Sequence, residues 1–167
     1  MGVQKMRRTI VSLVCILLPI TVLAGPPTRF DAQLSGFNAA GAVVDTNAAG
    51  VAKVEIVDDG TAVYYQINVA GLDGAFMAHI HVAPTAVQLT DPAGPPVFWF
   101  FGGPPPAAAD NVSETINGSL ARGYIVTGSD LTSGSVADLI TAIKEGRASI
   151  IVHTVDSPAG ELRGTLQ

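Results

Sequence analysis

Cysteine is nearly missing from this chain: there is one among 167 residues, Cys15, and it lies in the apolar run near the N-terminus. No intramolecular disulfide can form, so stability has to come from packing, from polar networks or from a bound ion. Histidine is almost as scarce, with three in total. Positive charge is thin as well, because 9 Lys and Arg stand against 14 Asp and Glu, a formal net charge of −5. A surface of that sign repels nucleic-acid phosphates and anionic membranes, which removes both from the expected partners. The glycines occur without the Gly-Lys-Ser ending of a phosphate loop, and none frames a serine as a nucleophile elbow does. Nucleotide chemistry and serine hydrolysis therefore lack their sequence supports.

The one long apolar run is at the start. Lys5, Arg7 and Arg8 precede an uncharged stretch from Ile10 to Leu23, which ends in Val22-Leu23-Ala24. A basic segment, about 14 apolar residues and a small-residue exit form the pattern of a secretory signal peptide, and the run is short of the roughly 20 residues of a spanning helix. The expectation is a signal peptide over residues 1–24, cleaved after Ala24, and one mature domain over residues 25–167. Such a protein is secreted or periplasmic, with no membrane attachment after the signal is removed.

From Arg29 onward the chain reads as short alternating runs broken by Gly, Pro, Asn and Asp, which predicts an all-β sandwich or barrel. Strands are expected over 29–36, 50–59, 61–71 and 75–83, then within PVFWFFGG, SETINGSLARGYI, RASIIVHT and GELRGTL. Asp59-Gly60 marks a hairpin turn, since Gly accepts positive φ. A single helix interrupts the strands: Val136, Leu139, Ile140 and Ile143 recur at helical spacing, with Ser133 to Ser135 available as N-cap and Gly146 at the end. The island VFWFF is apolar on both alternating faces, so it is either a strand buried on both sides or an exposed sticky patch; burial is the favoured reading, since proline-rich loops of the kind around it pack over sheet faces.

The stretch FMAHIHVAP carries the strongest chemical signal. Side chains of a strand alternate, so Phe76, Ala78, Ile80 and Val82 are assigned to the core face. Met77, His79, His81 and Ala83 then share the opposite face, and two imidazoles about 7 Å apart along a strand can converge on one ion. The third histidine, His153, ends the apolar strand SIIVHT and precedes the turn leading to Glu161 and Arg163. The alternative is structural: imidazoles hydrogen-bonded to Glu161, Thr154 and backbone carbonyls, tying the last hairpin to the fourth strand. Glu161 and Arg163 are candidates for an ion pair that supports the ligating rings from behind. Met77 is a soft donor on the histidine face, although a methionine there also serves as packing.

These blocks resemble the CHRD domain, the module named after chordin. The AHIH block, the VHT block and the terminal GELRG carry the resemblance, which spans about residues 29 to 167. Residues 85–110, with their prolines and VFWFF, depart from the pattern. The resemblance implies an immunoglobulin-like, superoxide-dismutase-like Greek-key β-sandwich. Copper/zinc dismutases carry a His-x-His strand, a later Val-Val-His strand end and a final glycine-containing loop with an arginine. This chain carries His79-Ile80-His81, Ile151-Val152-His153 and Gly160-Glu161-Leu162-Arg163. On that partial likeness His79, His81 and His153 are copper ligands and Arg163 is the cation facing an open site, the one residue to act in catalysis if the centre is redox-active. Residues 84–110 contain no histidine, so a dismutase-type zinc site with its bridging histidine is excluded.

Three functions remain open. One is a binding module with a three-histidine transition-metal site, copper first and zinc second. Another is a metal-free structural or interaction module that meets an extracellular protein or surface through VFWFF, with Trp99 central. A copper-dependent dismutase-like enzyme ranks last.

Overall fold

The computed structural model describes residues 28–103 and 114–167. The expected signal peptide, the leading residues of the expected mature domain and residues 104–113, which include the end of the proline-containing stretch 85–110, lie outside the described residues. Among the described residues eight strands and one α-helix follow in order: β1 Arg29–Leu34, β2 Ala49–Val57, β3 Ala62–Leu72, β4 Ala75–Val82, β5 Pro96–Phe101, β6 Ile116–Ile125, α1 Val136–Lys144, β7 Ala148–Thr154 and β8 Leu162–Thr165. Every expected strand is present, and the helix occupies the expected segment.

Two antiparallel sheets of four strands face each other, ordered β1-β2-β3-β6 and β5-β4-β7-β8. The neighbours β3–β6 and β4–β7 are not consecutive in the chain, the Greek-key feature of such sandwiches. This is the all-β sandwich that the alternation predicts. Phe30, Ala32 and Leu34 of β1, Val54 of β2 and Tyr65 and Ile67 of β3 point inward from one sheet. Ala78 and Ile80 of β4, Ile150 and Val152 of β7 and Leu162 of β8 meet them from the other. Burying this much aliphatic surface, at about 25 cal/mol per Å², is the main force holding the layers together.

Local chemistry sets the connections. β2 turns into β3 through Asp58–Gly60, where Asp58, Asp59 and Gly60 all adopt positive φ (51°, 53° and 87°). Helix α1 starts with a capping box: Ser135 Oγ accepts from the Asp138 backbone N–H, and the Asp138 carboxylate accepts from the Ser135 backbone N–H. Its apolar stripe, Val136, Leu139, Ile140 and Ile143, joins the core. No helix among the described residues is long and apolar enough to cross a membrane.

At one edge the two sheets are stitched together. Ser35 and Arg163 exchange backbone hydrogen bonds of 3.0 and 2.9 Å, and Asp31 and Gln167 exchange bonds of 3.0 and 3.1 Å. β1 thus lies against β8, and Gly164 permits the approach: a Cβ there would stand 2.5 Å from the Gln33 carbonyl oxygen.

The aromatic island differs from expectation. β5 is an end strand of its sheet, with Val97 and Phe100 buried and Phe98, Trp99 and Phe101 only half-buried. Phe98 and Phe100 pack on Tyr65, at centroid distances of 6.0 and 4.6 Å. Among the described residues β5 has a strand beside it on one side only, and nothing packs fully over Phe98, Trp99 and Phe101, so coverage is partial.

Candidate metal centre

β4 and β7 build the site. In their antiparallel register Met77 pairs with His153, His79 with Ile151 and His81 with Ser149, so His153 stands diagonally from His79 on one sheet face. The ring centroids of His79 and His81 are 4.6 Å apart, and those of His79 and His153 are 4.4 Å apart. One nitrogen from each ring lies within 4.8 Å of the others. The structure therefore brings together all three histidines singled out in the sequence, with His79 in the middle.

Phe76 corrects the alternation argument. It was assigned to the core face, yet it is only half-buried, is absent from the core cluster, and its ring stands 6.3 Å from that of His153. The reason is an irregularity in the β4–β7 ladder between Ala75 and Met77, where one extra residue breaks the period of two.

The histidine face is not open to water. His79, His81 and His153 are 3%, 5% and 4% exposed, and Arg163 is 0% exposed. Arg163 explains the cover. Its Nη1 donates to the carbonyls of Leu89 (3.1 Å), Asp91 and Asn38 (3.5 Å), and its Nη2 donates to Gln88 (3.1 Å). One guanidinium thus fastens the β4–β5 loop and the β1–β2 loop over the sheet. The bonds Ala93 N–H to Ala39 carbonyl and Ala39 N–H to Ala159 carbonyl, both 3.0 Å, lock these loops to each other and to the β7–β8 turn.

Two expectations fall with this arrangement. Arg163 is not a cation facing an open site, because a guanidinium with five donors is better satisfied by converging carbonyls than by exposure at a strand already covered by loops. Nor does it pair with Glu161. The Glu161 carboxylate accepts from Thr46 Oγ1 at 2.6 Å and from Thr154 Oγ1 at 2.5 Å, pinning the β1–β2 loop to the end of β7.

The hydrogen bonds of the histidines decide where their lone pairs point. His81 Nδ1 is 2.7 Å from the Gly94 carbonyl, and His153 Nδ1 is 3.0 Å from the Pro158 carbonyl. A carbonyl only accepts, so each Nδ1 carries the proton and each Nε2 keeps a free lone pair. His81 Nε2, His153 Nε2 and His79 Nδ1 are buried with no hydrogen-bond partner among the described residues. Three unpartnered ring nitrogens in one cluster fit a cation, since an orphaned buried acceptor otherwise costs about 1–3 kcal/mol. A tetrahedral ion with bonds of about 2.0–2.1 Å sets its ligand nitrogens about 3.3 Å apart, so ligation calls for the rings to draw slightly together.

Electrostatics favour the ligand form. Burial first, then the neighbouring His153 and His81, push the His79 pKa down to about 3. Burial also lowers His81 to about 4, with His153 and Arg163 acting the same way and the Gly94 carbonyl opposing. His153 is lowered by burial against the pull of the Pro158 carbonyl. All three shifts run toward the neutral ring, the form that ligation requires.

Gly94 and Pro158 escaped the sequence reading as site residues, although each sits in a recognisable turn, PAGPP and DSPAG. Gly94 adopts φ 81°, and a Cβ would lie 2.3 Å from the Val82 carbonyl oxygen. Only glycine brings its carbonyl to His81 there. Trp99, paired with His79 across β4 and β5, sets its indole 5.4 Å from that ring in an edge-on arrangement.

The CHRD domain family matches residues 30–166 of this chain. No curated protein and no solved structure matches it.

Proposed function

The chain belongs to the CHRD domain family, and from that premise we propose that it is an extracytoplasmic binding module whose ligand is a transition-metal ion. His79, His81 and His153 hold the ion; copper is the first choice and zinc the second, because imidazole nitrogen suits both. One observation carries the reading: three buried ring nitrogens with no other partner, two of them fixed in the ligating tautomer by backbone carbonyls. When bound, the metal supplies a Lewis-acidic, exchangeable centre. The chain's own part is to present neutral nitrogens, to hold two rings through Gly94 and Pro158, and to keep bulk water off with the Arg163-fastened loops. Placement outside the cytoplasm rests on the leader-like residues 1–24.

The test is a titration of chelator-treated protein with copper and with zinc. Binding of one equivalent and a rise in thermal midpoint are expected for wild type, and loss of both for the triple alanine variant of His79, His81 and His153. If the triple variant binds as wild type does, the site is wrong. An ion at 100 times its dissociation constant stabilises a fold by about 2.7 kcal/mol, well within the reach of a thermal melt.

A metal-free interaction module is the second reading. The half-buried aromatics Phe98, Trp99 and Phe101 on the end strand β5 favour it. It expects an extracellular protein or surface as partner, loss of binding on Trp99→Ala, and no response of the melt to metal. Dismutase-like turnover has least support, since Arg163 is committed to loop carbonyls.

A further inference from the structure

The question left by the metal reading is which charge the centre accommodates. We propose that the three-histidine centre takes monovalent copper, Cu(I), in preference to Cu(II) or Zn(II). This rests on the metal-binding reading above and narrows it.

The argument is a count of charges. The clustered donors are His79, His81 and His153, and no carboxylate among the described residues joins them. Glu161, at the end of the β7–β8 turn, is held by the hydroxyls of Thr46 and Thr154. Met77 lies opposite His153 in the register and adds a neutral thioether to the same face. The bound ion's charge is therefore cancelled by no described ligand. In a buried site each uncompensated unit is penalised, so a divalent ion is penalised more than a monovalent one.

A second charge sharpens the difference. The Arg163 guanidinium is fully buried; its Nη1 and Nη2 donate to four backbone carbonyls while Nε has no partner, and no salt bridge reaches it among the described residues. Its field reaches His81, while the Asp91 carboxylate, which accepts from the Gln88 N–H at 2.9 Å, offsets part of it. Repulsion from Arg163 is twice as large for a divalent ion as for a monovalent one.

Donor number points the same way. Zinc takes four ligands, in three-histidine sites by adding a water that this roofed face restricts, and Cu(II) prefers a tetragonal set. Here the chain's three histidines are exhausted by one sheet face. Cu(I), a closed-shell soft ion, is satisfied by three neutral donors and by the aromatic and thioether groups beside them.

The experiment compares three ions on the purified full chain. Cu(I) is delivered without oxygen and competed with bicinchoninate; Cu(II) and Zn(II) are competed with chelators of known affinity. Trp99, the sole tryptophan, reports binding by its fluorescence. The expected result is one Cu(I) per chain, held at least about 100-fold more tightly than Zn(II) or Cu(II), the scale of one uncompensated charge in a partly shielded interior. X-ray absorption of the loaded protein is expected to show three-coordinate Cu(I) with nitrogen donors. His81→Asp, which replaces a neutral donor by an anionic one, is expected to narrow the ratio by about tenfold or more; a ratio left unchanged in a folded His81→Asp protein overturns the charge argument. Zn(II) or Cu(II) bound as tightly as Cu(I) by wild type overturns the Cu(I) preference and leaves the metal site standing. Binding of none of the three ions overturns both.

Discussion

The outward faces of the two sheets are built alike and end differently. On the first sheet Arg29, Asp31, Lys53 and Glu55 stand in solvent and Tyr64 is half-buried. On the second the outward residues His79, His81, Ser149, His153, Arg163 and Thr165 are all buried. Antiparallel sheets commonly pack one face on the core and leave the other wet, and the first sheet does so. The second sheet carries a polar outer face under a roof of loops. Polar groups that water would satisfy must there be satisfied by the protein, and most are: Arg163 by carbonyls, His81 and His153 by one carbonyl each, Ser149 within 3.5 Å of the Thr165 hydroxyl. What remains among the described residues is two donors, Trp99 Nε1 and Arg163 Nε, and three ring nitrogens, which are together. A roofed polar face makes any unsatisfied group expensive, so a cluster of them marks a ligand site where a solvated face would mark nothing.

The comparison breaks most readily at Arg163. Arg163→Ala removes the fastening and leaves several buried carbonyls unpartnered, so a loss of about 3–5 kcal/mol is expected in chemical denaturation. A change under 1 kcal/mol would mean that the roof stands without it.

Next in size is the response of the metal-free protein to acid. His79 and His81 have folded pKa values of about 3 and about 4 against an ordinary 6.5. The unfolded chain therefore takes up protons below pH 6.5 that the folded chain refuses. Stability is full above that pH and falls as pH drops through it, by about 2.5 kcal/mol for these two histidines between pH 7.5 and 5.5, with His153 acting in the same direction. Urea midpoints in the presence of chelator measure this, and the triple alanine variant should lose most of the slope. A wild-type profile that is flat down to pH 5.5 contradicts the buried neutral cluster.

A smaller effect is expected from Gly94→Ala. It forces a Cβ against the Val82 carbonyl and shifts the acceptor that holds His81. Metal affinity should fall about 10- to 100-fold, the usual effect of losing an outer partner of a ligating histidine. Unchanged affinity in competition titration would show that His81 keeps its tautomer unaided.

The least effect belongs to the other face. Arg29 pairs with Asp31 at 3.3 Å with both side chains about half exposed. Arg29→Ala should change stability by no more than about 0.5 kcal/mol. If it matched Arg163→Ala, the contrast between wet and roofed faces would be wrong.

Much of this was legible beforehand, for identifiable reasons. Period-two alternation exposes strands because one face of each is apolar, and the eight runs from RFDAQL to LRGT were all visible in that way. Ser135 with Asp138 three residues on is a helix start that needs no tertiary context. His-x-His on one strand face follows from the same alternation. Phe76 was misassigned because a bulge has no sequence marker of its own. Arg163 was misread because its acceptors are backbone carbonyls at Asn38 and Gln88 to Asp91, some 72 to 125 residues away, and any residue type can supply a carbonyl.

By itself, then, the sequence determined the strands, the single helix, which face of β4 carries the imidazoles, and the count of three that any shared ion must use. Those are local properties, set by side-chain chemistry and the geometry of neighbouring residues. Only the tertiary structure decided that His153 meets His79, that the face is roofed, that two carbonyls choose the tautomers, and that Arg163 holds loops instead of facing an open site. These depend on strand register and on backbone groups brought close by folding, and backbone groups are the same at every residue.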